Sequence, residues 1–198
     1  MKKTLLLFIF IPLVCFGQNI PNVNNQPKTQ ALDTLTNVYI NYSYQISIDA
    51  PDNWIVDYGI GEDCIFRGNE RELALTFSIV VKKIKMESKN AWQEYILHKP
   101  QKDEELRNFF KNQFNSEINN YKAIKSYVNN FVSLNESFDF IVRSTELEYI
   151  NQFIQHTVFK DGYVYVFNAQ MPKTIYDEQP EYFKNLFNLI RFLPKGFN

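Results

Sequence analysis

Cysteine is scarce in this chain of 198 residues, which contains only Cys15 and Cys64. Cys15 lies in an apolar leader that we expect to be removed, so one cysteine would remain and no disulfide could form within the mature chain. The fold must therefore rest on its hydrophobic core. Cys64 is followed by Ile65 and Phe66 in a strand-like run, which predicts a buried thiol that behaves as a small apolar side chain.

Histidine is equally scarce, and the common catalytic motifs are missing. The sequence contains no GxSxG, HExxH or CxxC motif and no glycine-rich phosphate loop. A structural role is a sufficient explanation for each histidine, because His98 is near a predicted helix end and His156 is within a predicted strand. We therefore predict that the chain is not an enzyme. The alternative is an envelope enzyme, hydrolase-like, that uses Cys64 or the pair Glu146 and Glu148, which share one face of a strand.

An excess of charge of either sign is also missing. The chain carries 21 basic and 22 acidic residues without a basic run, which excludes the electrostatic pattern of nucleic-acid binding. Removal of the leader with Lys2 and Lys3 leaves 19 basic and 22 acidic residues, a formal charge of −3 instead of −1. No EF-hand loop is present, so we predict no metal and no cofactor. The acidic residues around the predicted glycine-rich turns, Glu62, Asp63, Glu70 and Glu72, could ligate calcium, as could Glu146 and Glu148, but solvated surface positions are the favoured interpretation.

The first seventeen residues have the pattern of a secretory signal peptide. Lys2 and Lys3 precede an apolar run, and small residues at positions 15 and 17 predict cleavage between Gly17 and Gln18. The run is shorter than the roughly 20 residues of a membrane span. The alternatives are an uncleaved anchor and a lipoprotein modified at Cys15, although Val14 stands where lipoproteins have a small residue. We predict export to the periplasm or the cell exterior, without a transmembrane helix in the mature form.

The mature chain divides into a tether and one domain. Residues 18–35 are rich in Asn, Gln and Pro without an apolar period, which predicts a flexible N-terminal tether. Residues 36–195 have the length and apolar content of a single domain. Alternating apolar residues predict a strand from Val38 to Asp49, either continuous or broken into two by a bend near Ser43. A turn at 50–53 and strands at about 54–58, 63–67 and 73–81 follow.

Helices are predicted in the middle and near the end of the domain. The first begins at the cap Ser88 and stops before Pro100, and the second begins near Lys102 with an acidic first turn. Strands follow at about 121–132, 136–149, 152–160 and 163–170, with a hairpin at Asp161-Gly162. A last helix begins near Gln179. These segregated runs predict an α+β fold with a largely antiparallel sheet covered by helices on both sides.

Two short segments carry a family resemblance. The turn Pro51-Asp52-Asn53-Trp54 after the opening strand resembles the start of PsbP-like domains, and the last helix with Phe183, Leu186 and Ile190, closing in Arg191-Phe192, is similar to their end. The family is named for the extrinsic subunit of photosystem II, and a Ran-binding import factor shares its fold. The resemblance implies an antiparallel sheet packed between helices and a role as an accessory or partner-binding module. It implies no functional residue.

Aromatic residues are plentiful and suggest a binding surface. A ligand patch for a peptide, glycan or lipid is predicted from five of them: Tyr39, Tyr44, Trp54, Tyr58 and Trp92. The favoured interpretation is a non-catalytic, secreted or periplasmic cell-envelope domain that binds a partner protein or a small ligand. A purely structural role in assembly is a further alternative.

Overall fold

The computed structural model describes residues 30–33, 35–59, 63–143 and 147–194. The predicted leader, its cleavage site and Glu146 lie outside these ranges. The described residues form eleven strands, four α-helices and one 3-10 helix. In chain order they are β1 (Gln30–Asp33), β2 (Val38–Asn41), β3 (Ile46–Asp49), β4 (Trp54–Tyr58), β5 (Cys64–Glu70), β6 (Leu75–Lys83), α1 (Ser88–Leu97), α2 (Lys99–Phe114), β7 (Asn119–Val128), β8 (Phe131–Arg143), β9 (Glu148–Lys160), β10 (Tyr163–Pro172), α3 (Lys173–Glu178), α4 (Pro180–Asn185), the 3-10 helix (Leu186–Leu189) and β11 (Ile190–Phe192).

The centre of the fold is a seven-stranded antiparallel sheet with the strand order β4-β5-β6-β10-β9-β8-β7. Its longest strands, β8 and β9, have 13 residues each. Residues 151–158 of β9 are all buried, because the side chains on both faces of this strand are covered. The predicted α+β fold, with a largely antiparallel sheet covered by helices, is confirmed.

One face of this sheet, called here the sheet-covered face, packs against a second antiparallel sheet of order β1-β2-β3-β11. Helices α3 and α4 and the 3-10 helix pack on the same face. The core between these layers is rich in aromatic side chains, among them Tyr39, Trp54, Phe66, Phe77, Tyr165, Phe167, Phe183 and Phe187. Burial of these large side chains is the main contribution to the stability of this layer.

The opposite face, called here the helix-covered face, carries α1 and α2. Ala91 of α1 packs in one apolar cluster, and Leu106 and Phe110 of α2 pack in another. The first cluster also contains Cys64, Val80, Ile84, Val164 and Val166. The second also contains Ile118, Phe138, Phe140 and Phe153. Between the two clusters, this face carries polar and charged side chains.

The start of the domain adds one strand to the prediction. Gln30–Asp33, within the tether predicted for residues 18–35, forms β1 and pairs with β2, whereas residues 18–29 lie outside the described ranges. The run from Val38 to Asp49 is divided into the two strands of a hairpin, because the chain reverses at 42–45 with Gln45 at φ 51°. A left-handed residue at this point lets β3 fold back beside β2.

The two central helices also begin at other residues than predicted. Helix α2 starts at Lys99, so Pro100 lies in its first turn, where the missing N–H of proline costs nothing. The acidic run 103–105 therefore lies in the second turn, and the predicted interaction with the helix dipole is wrong. Ser88 is the first helical residue of α1 instead of its cap, and its hydroxyl accepts a hydrogen bond from the Gly162 N–H at 3.3 Å.

The later strands turn at asparagine and aspartate residues with positive φ. The predicted break between 132 and 136 is wrong, because the turn lies at Asn129-Asn130 and β8 runs uninterrupted from Phe131 to Arg143. Asparagine tolerates the left-handed backbone that this turn requires. The predicted hairpin at Asp161-Gly162 is confirmed, with φ of 51° and 80° as in a type I′ turn.

The predicted last helix is divided into α4, the 3-10 helix and β11. Phe183 and Leu186 are buried in the core of the sheet-covered face. Ile190 does not belong to a helix, because it begins β11 and pairs with Ile48 of β3. The Leu193 N–H then donates to the Gln45 carbonyl oxygen at 2.8 Å. The final segment thus completes the second sheet.

Candidate functional site

Two of the five residues of the aromatic ligand patch predicted from the sequence are core residues. Tyr39 and Trp54 are buried on the sheet-covered face. The Tyr39 hydroxyl donates to Gln30 Oε1 at 2.8 Å, and Trp54 Nε1 donates to the Tyr182 hydroxyl at 3.2 Å. Both polar groups are therefore satisfied inside the protein and present nothing to a ligand.

The other three members of that patch lie apart from one another. Tyr58 packs edge-to-face on buried Tyr39, and Tyr44 packs on Tyr163 with ring centroids 5.4 Å apart. Trp92 is on the helix-covered face, which is the opposite side of the large sheet. The five residues thus form no continuous surface.

The structure does not bring Cys64 together with a histidine. Cys64 is buried on the helix-covered face, as its apolar neighbours predict. His156 points to the sheet-covered face, where its ring packs on Phe187 with centroids 4.3 Å apart. His98 is exposed at the end of α1. The sheet therefore separates the thiol from His156, and the described residues contain no assembled Cys–His pair.

The carboxylates singled out by the sequence have structural partners. Glu148 is exposed, and its Oε2 accepts a hydrogen bond from Arg143 Nε at 3.0 Å. Its predicted companion Glu146 lies outside the described residues. Glu70 is buried and accepts a hydrogen bond from the Glu72 N–H at 3.1 Å, which holds the turn after β5. Among the described residues, no group of three or more His, Cys, Asp or Glu side chains is arranged to hold a metal ion.

Sequence reasoning missed a buried carboxylate at the centre of the helix-covered face. Glu136 of β8 is only 4% exposed and lies between the two apolar clusters. Its Oε2 accepts hydrogen bonds from the Tyr95 hydroxyl at 2.8 Å and from Gln155 Nε2 at 3.2 Å. Its Oε1 lies 2.9 Å from Lys99 Nζ. Glu136 therefore connects α1 and α2 to two strands of the large sheet.

Tyr121 and Asp103 extend this network toward the solvent. The Tyr121 hydroxyl lies 2.8 Å from Asp103 Oδ1 and 2.8 Å from Glu136 Oε1, and it donates to one of them at a time. Lys99 also contacts Asp103 and the Tyr121 hydroxyl. One cation thus faces two carboxylates, and every group has a charged or hydrogen-bonded partner.

The electrostatics of the network favour a structural role. Burial, followed by the charge of Glu136, raises the pKa of Tyr95 well above its ordinary value. The same two causes, in the same order, raise the pKa of Tyr121. Both phenols therefore stay protonated and donate hydrogen bonds to the carboxylates. The arrangement attaches the two helices to the sheet, because Tyr95 of α1 and Lys99 of α2 both contact Glu136 of β8.

The strongest candidate for an interaction surface is a group of exposed apolar side chains. Phe114, Leu147, Tyr149 and Ile150, called here the hairpin tip, are 42%, 66%, 41% and 51% exposed. They lie where β8 leads into β9 and where α2 ends.

The hairpin tip combines Phe114 at the end of α2 with residues 147–150 at the start of β9, and neighbouring contacts hold these two segments together. Phe114 packs on Phe140 with centroids 6.4 Å apart, and Val142, two residues further on β8, is paired with Tyr149. Asn115, which follows Phe114, accepts a hydrogen bond through its carbonyl oxygen from Arg143 Nη1 at 2.6 Å. The four apolar side chains therefore share one end of the molecule.

Comparison with known proteins finds similarity of structure only. No family model and no curated protein matches the chain. The solution structure of cyanobacterial PsbP (CyanoP) from Synechocystis has 8% identity and a TM-score of 0.49, over 87% of this chain and 97% of that chain. A crystal structure from Bacteroides thetaiotaomicron has 11% identity and a TM-score of 0.49, over 77% of this chain and 46% of that one.

A further similar structure is LpqN of Mycobacterium tuberculosis, which is described as involved in cell envelope biogenesis. Its identity is 9% and its TM-score 0.37, over 75% of this chain and 83% of LpqN. The PsbP-like fold predicted from the sequence agrees with the similarity to CyanoP. These similarities concern the fold and carry nothing about activity, ligand or partner. Across the described residues, no helix is long and apolar enough to cross a membrane.

Proposed function

We propose that this chain is an exported, non-catalytic domain that binds a partner protein through the hairpin tip. The observation that carries the proposal is the exposure of four large apolar side chains at one end of the molecule. Large exposed apolar side chains concentrated at one end of a molecule are typical of interaction sites, because their contact with water is unfavourable until a partner covers them. Tyr149 and Phe114 supply the aromatic contacts that dominate many protein interfaces.

The other exposed apolar side chains support this choice of surface by their distribution. Tyr127 and Val132 form one cross-strand pair near the β7–β8 turn. Ile55 lies on β4, the opposite edge of the large sheet from β7. Isolated exposed apolar residues such as Ile55 are common on monomeric proteins. The separation of Cys64 from His156 by the sheet supports the non-catalytic part of the proposal.

Site-specific photo-cross-linking tests the proposed interface. A photoreactive amino acid at Tyr149, in intact cells that produce the chain with its leader, is expected to yield one discrete cross-linked protein. Combining this probe with Ile150→Asp should reduce the product at least about tenfold, since a desolvated charge would then face the partner.

The same probe at Ile55 provides the matched control, because this residue is exposed and apolar but distant from the hairpin tip. Cross-linking to the same protein from both positions contradicts binding through the tip. Binding through the tip is also contradicted if Ile150→Asp leaves the yield of the cross-linked product from position 149 unchanged. Circular dichroism of the purified variant establishes that the exposed substitution preserves the fold.

Export is tested by the N-terminus of the mature chain. Mass spectrometry of protein from the envelope or the medium is expected to find Gln18 as the first residue, because signal peptidase cleaves after small residues such as Gly17. A chain that begins at Met1, or one that carries lipid on Cys15, contradicts the proposed processing.

A further inference from the structure

The longest open strand edge in the described part of the chain is that of β7. The edge strands are β4 and β7 in the large sheet and β1 and β11 in the small sheet. β7 has ten residues, whereas β4 has five, β1 has four and β11 has three. Because β7 pairs only with β8, the backbone N–H and C=O groups of its alternate residues point away from the sheet. This edge can therefore form backbone hydrogen bonds with one more strand.

The regular part of this strand is residues 122–128, called here the β7 edge. These residues pair with β8 one by one, and the irregularity in the pairing of β7 lies before them. At the start of the strand, the Tyr121 hydroxyl lies 2.8 Å from Glu136 Oε1, and at its end Val128 is buried in the core of the sheet-covered face. The β7 edge is thus held in an extended conformation before a partner binds, which lowers the entropic cost of binding.

The side chains of the β7 edge present apolar and basic groups on both faces of the sheet. Lys122 and Ile124 lie on the sheet-covered face, as buried Val128 does, and Lys125 and Tyr127 lie on the helix-covered face. Ile124 and Tyr127 are 59% and 61% exposed, and both lysines are exposed as well. Within the described residues, neither lysine has a hydrogen bond or an ion pair. β7 contains no acidic residue that could neutralise them.

The two lysines restrict which strand can pair with this edge. Residues directly opposite each other in a strand pair lie close together, so opposite charges there are stabilising and like charges are destabilising. Two copies of β7, with two lysines each, would bring four lysines and no carboxylate to one seam, which disfavours self-association through this edge. A complementary strand has carboxylates opposite Lys122 and Lys125 and apolar side chains opposite Ile124 and Tyr127.

We propose that the β7 edge binds an extended acidic segment of a partner polypeptide, which is added to the seven-stranded sheet as one further antiparallel strand. Backbone hydrogen bonds supply affinity in this mode of binding, and the side chains opposite the edge supply specificity. The carboxylates of the segment pair with Lys122 and Lys125. The β7 edge shares no residue with the hairpin tip, and the proposal does not depend on binding through the tip.

Nuclear magnetic resonance of the isotope-labelled mature chain tests the proposal. The probe is a synthetic peptide of about ten residues, built from threonine, valine and isoleucine. It contains two glutamates spaced to face Lys122 and Lys125 in an antiparallel pair. Saturable shifts are expected for the backbone amide signals of residues 122–128. The amides of the β7 edge that point outward should also exchange with solvent more slowly, because the peptide carbonyl groups accept hydrogen bonds from them.

Exchange of the charges identifies the pairing. The double variant Lys122→Glu, Lys125→Glu is expected to bind the glutamate peptide at least about tenfold more weakly, because two attractive cross-strand pairs become repulsive. A peptide with lysine in place of both glutamates should bind this variant but not the original chain. The matched control is Lys85→Glu, Lys89→Glu, which makes the same change of net charge at exposed positions outside β7 and should leave binding unchanged.

Methylation of the peptide backbone separates strand pairing from charge attraction alone. N-methyl groups on the peptide residues whose N–H faces β7 should weaken binding at least about tenfold, whereas N-methyl groups on the intervening residues should have little effect. The proposal is overturned if no saturable shift appears, if the two methylated peptides bind alike, or if the control variant weakens binding as much as the β7 variant. It is also overturned if the chain alone is a dimer with protected β7 amides, because a second copy would then cover the edge.

Discussion

Replacement of Glu136 by Gln is expected to lower the free energy of unfolding by roughly 3 kcal/mol at neutral pH. The substitution keeps the shape of the side chain but removes the charge that Tyr95, Gln155 and Lys99 surround. Lys99 would keep Asp103 as a partner but would face an amide in place of a buried carboxylate. Urea unfolding followed by tryptophan fluorescence, to which buried Trp54 contributes, measures the loss.

Two further variants separate the buried network from ordinary ion pairing. Asp177→Asn removes a carboxylate from an exposed pair with Lys173 and should cost less than about 0.5 kcal/mol, because exposed pairs contribute little. The double variant Glu136→Gln, Lys99→Met should recover part of the loss, since no cation then faces the amide. A Glu136→Gln cost as small as that of Asp177→Asn would contradict a stabilising role of the network.

Acidification is expected to destabilise the protein through His156. Burial lowers the pKa of this residue from 6.5 to about 4. In the folded state the ring stays neutral, packed on Phe187 and 3.0 Å from the Ser133 hydroxyl. The unfolded chain therefore binds more protons than the folded protein between pH 6.5 and about 4. The free energy of unfolding should fall across this interval, by about 2–3 kcal/mol at pH 4.5 from this group alone.

Comparison with His156→Gln isolates the contribution of the histidine. Carboxylates titrate alike in both proteins, so their effect cancels in the difference between the two stability profiles. The difference should be constant above pH 7 and should change by about 2–3 kcal/mol between pH 7 and pH 4.5, with the variant losing less stability. Parallel profiles over the whole range would show that the folded protein accommodates a charged imidazolium.

The parts of the fold that are encoded locally could be predicted from the sequence. Alternation through Phe77 and Ile79 identifies β6, and Asp161-Gly162 identifies a tight hairpin, because each signal lies in adjacent residues. Strand β1 has no apolar period. It is attached by pairing with β2 and by a hydrogen bond between Gln30 and the Tyr39 hydroxyl, contacts that only the folded chain brings together.

The buried carboxylate and the hairpin tip could not be predicted in the same way. Alternation with Phe138 and Phe140 places Glu136 on an inner face, but its partners Tyr95 and Lys99 lie some 40 residues earlier and reach it only through helix packing. The strands predicted at 136–149 and 152–160 place Tyr149 and Ile150 at a break between strands. In the structure, β9 begins beyond the covering helices, so Tyr149 and Ile150 are left exposed.

The pairing of β11 with β3 has a consequence for the export proposed for this chain. The closing contacts of the small sheet join residues far apart in sequence, such as the ion pair of Arg191 with Asp49 and the Leu193–Gln45 hydrogen bond. Contacts of such long range form late, because a large loop must first close. The small sheet is therefore complete only after residues 190–193 have formed their contacts with β3 and Gln45. A chain that enters an export channel from its N-terminus would thus lack the β11–β3 contacts until nearly all of the domain has passed through.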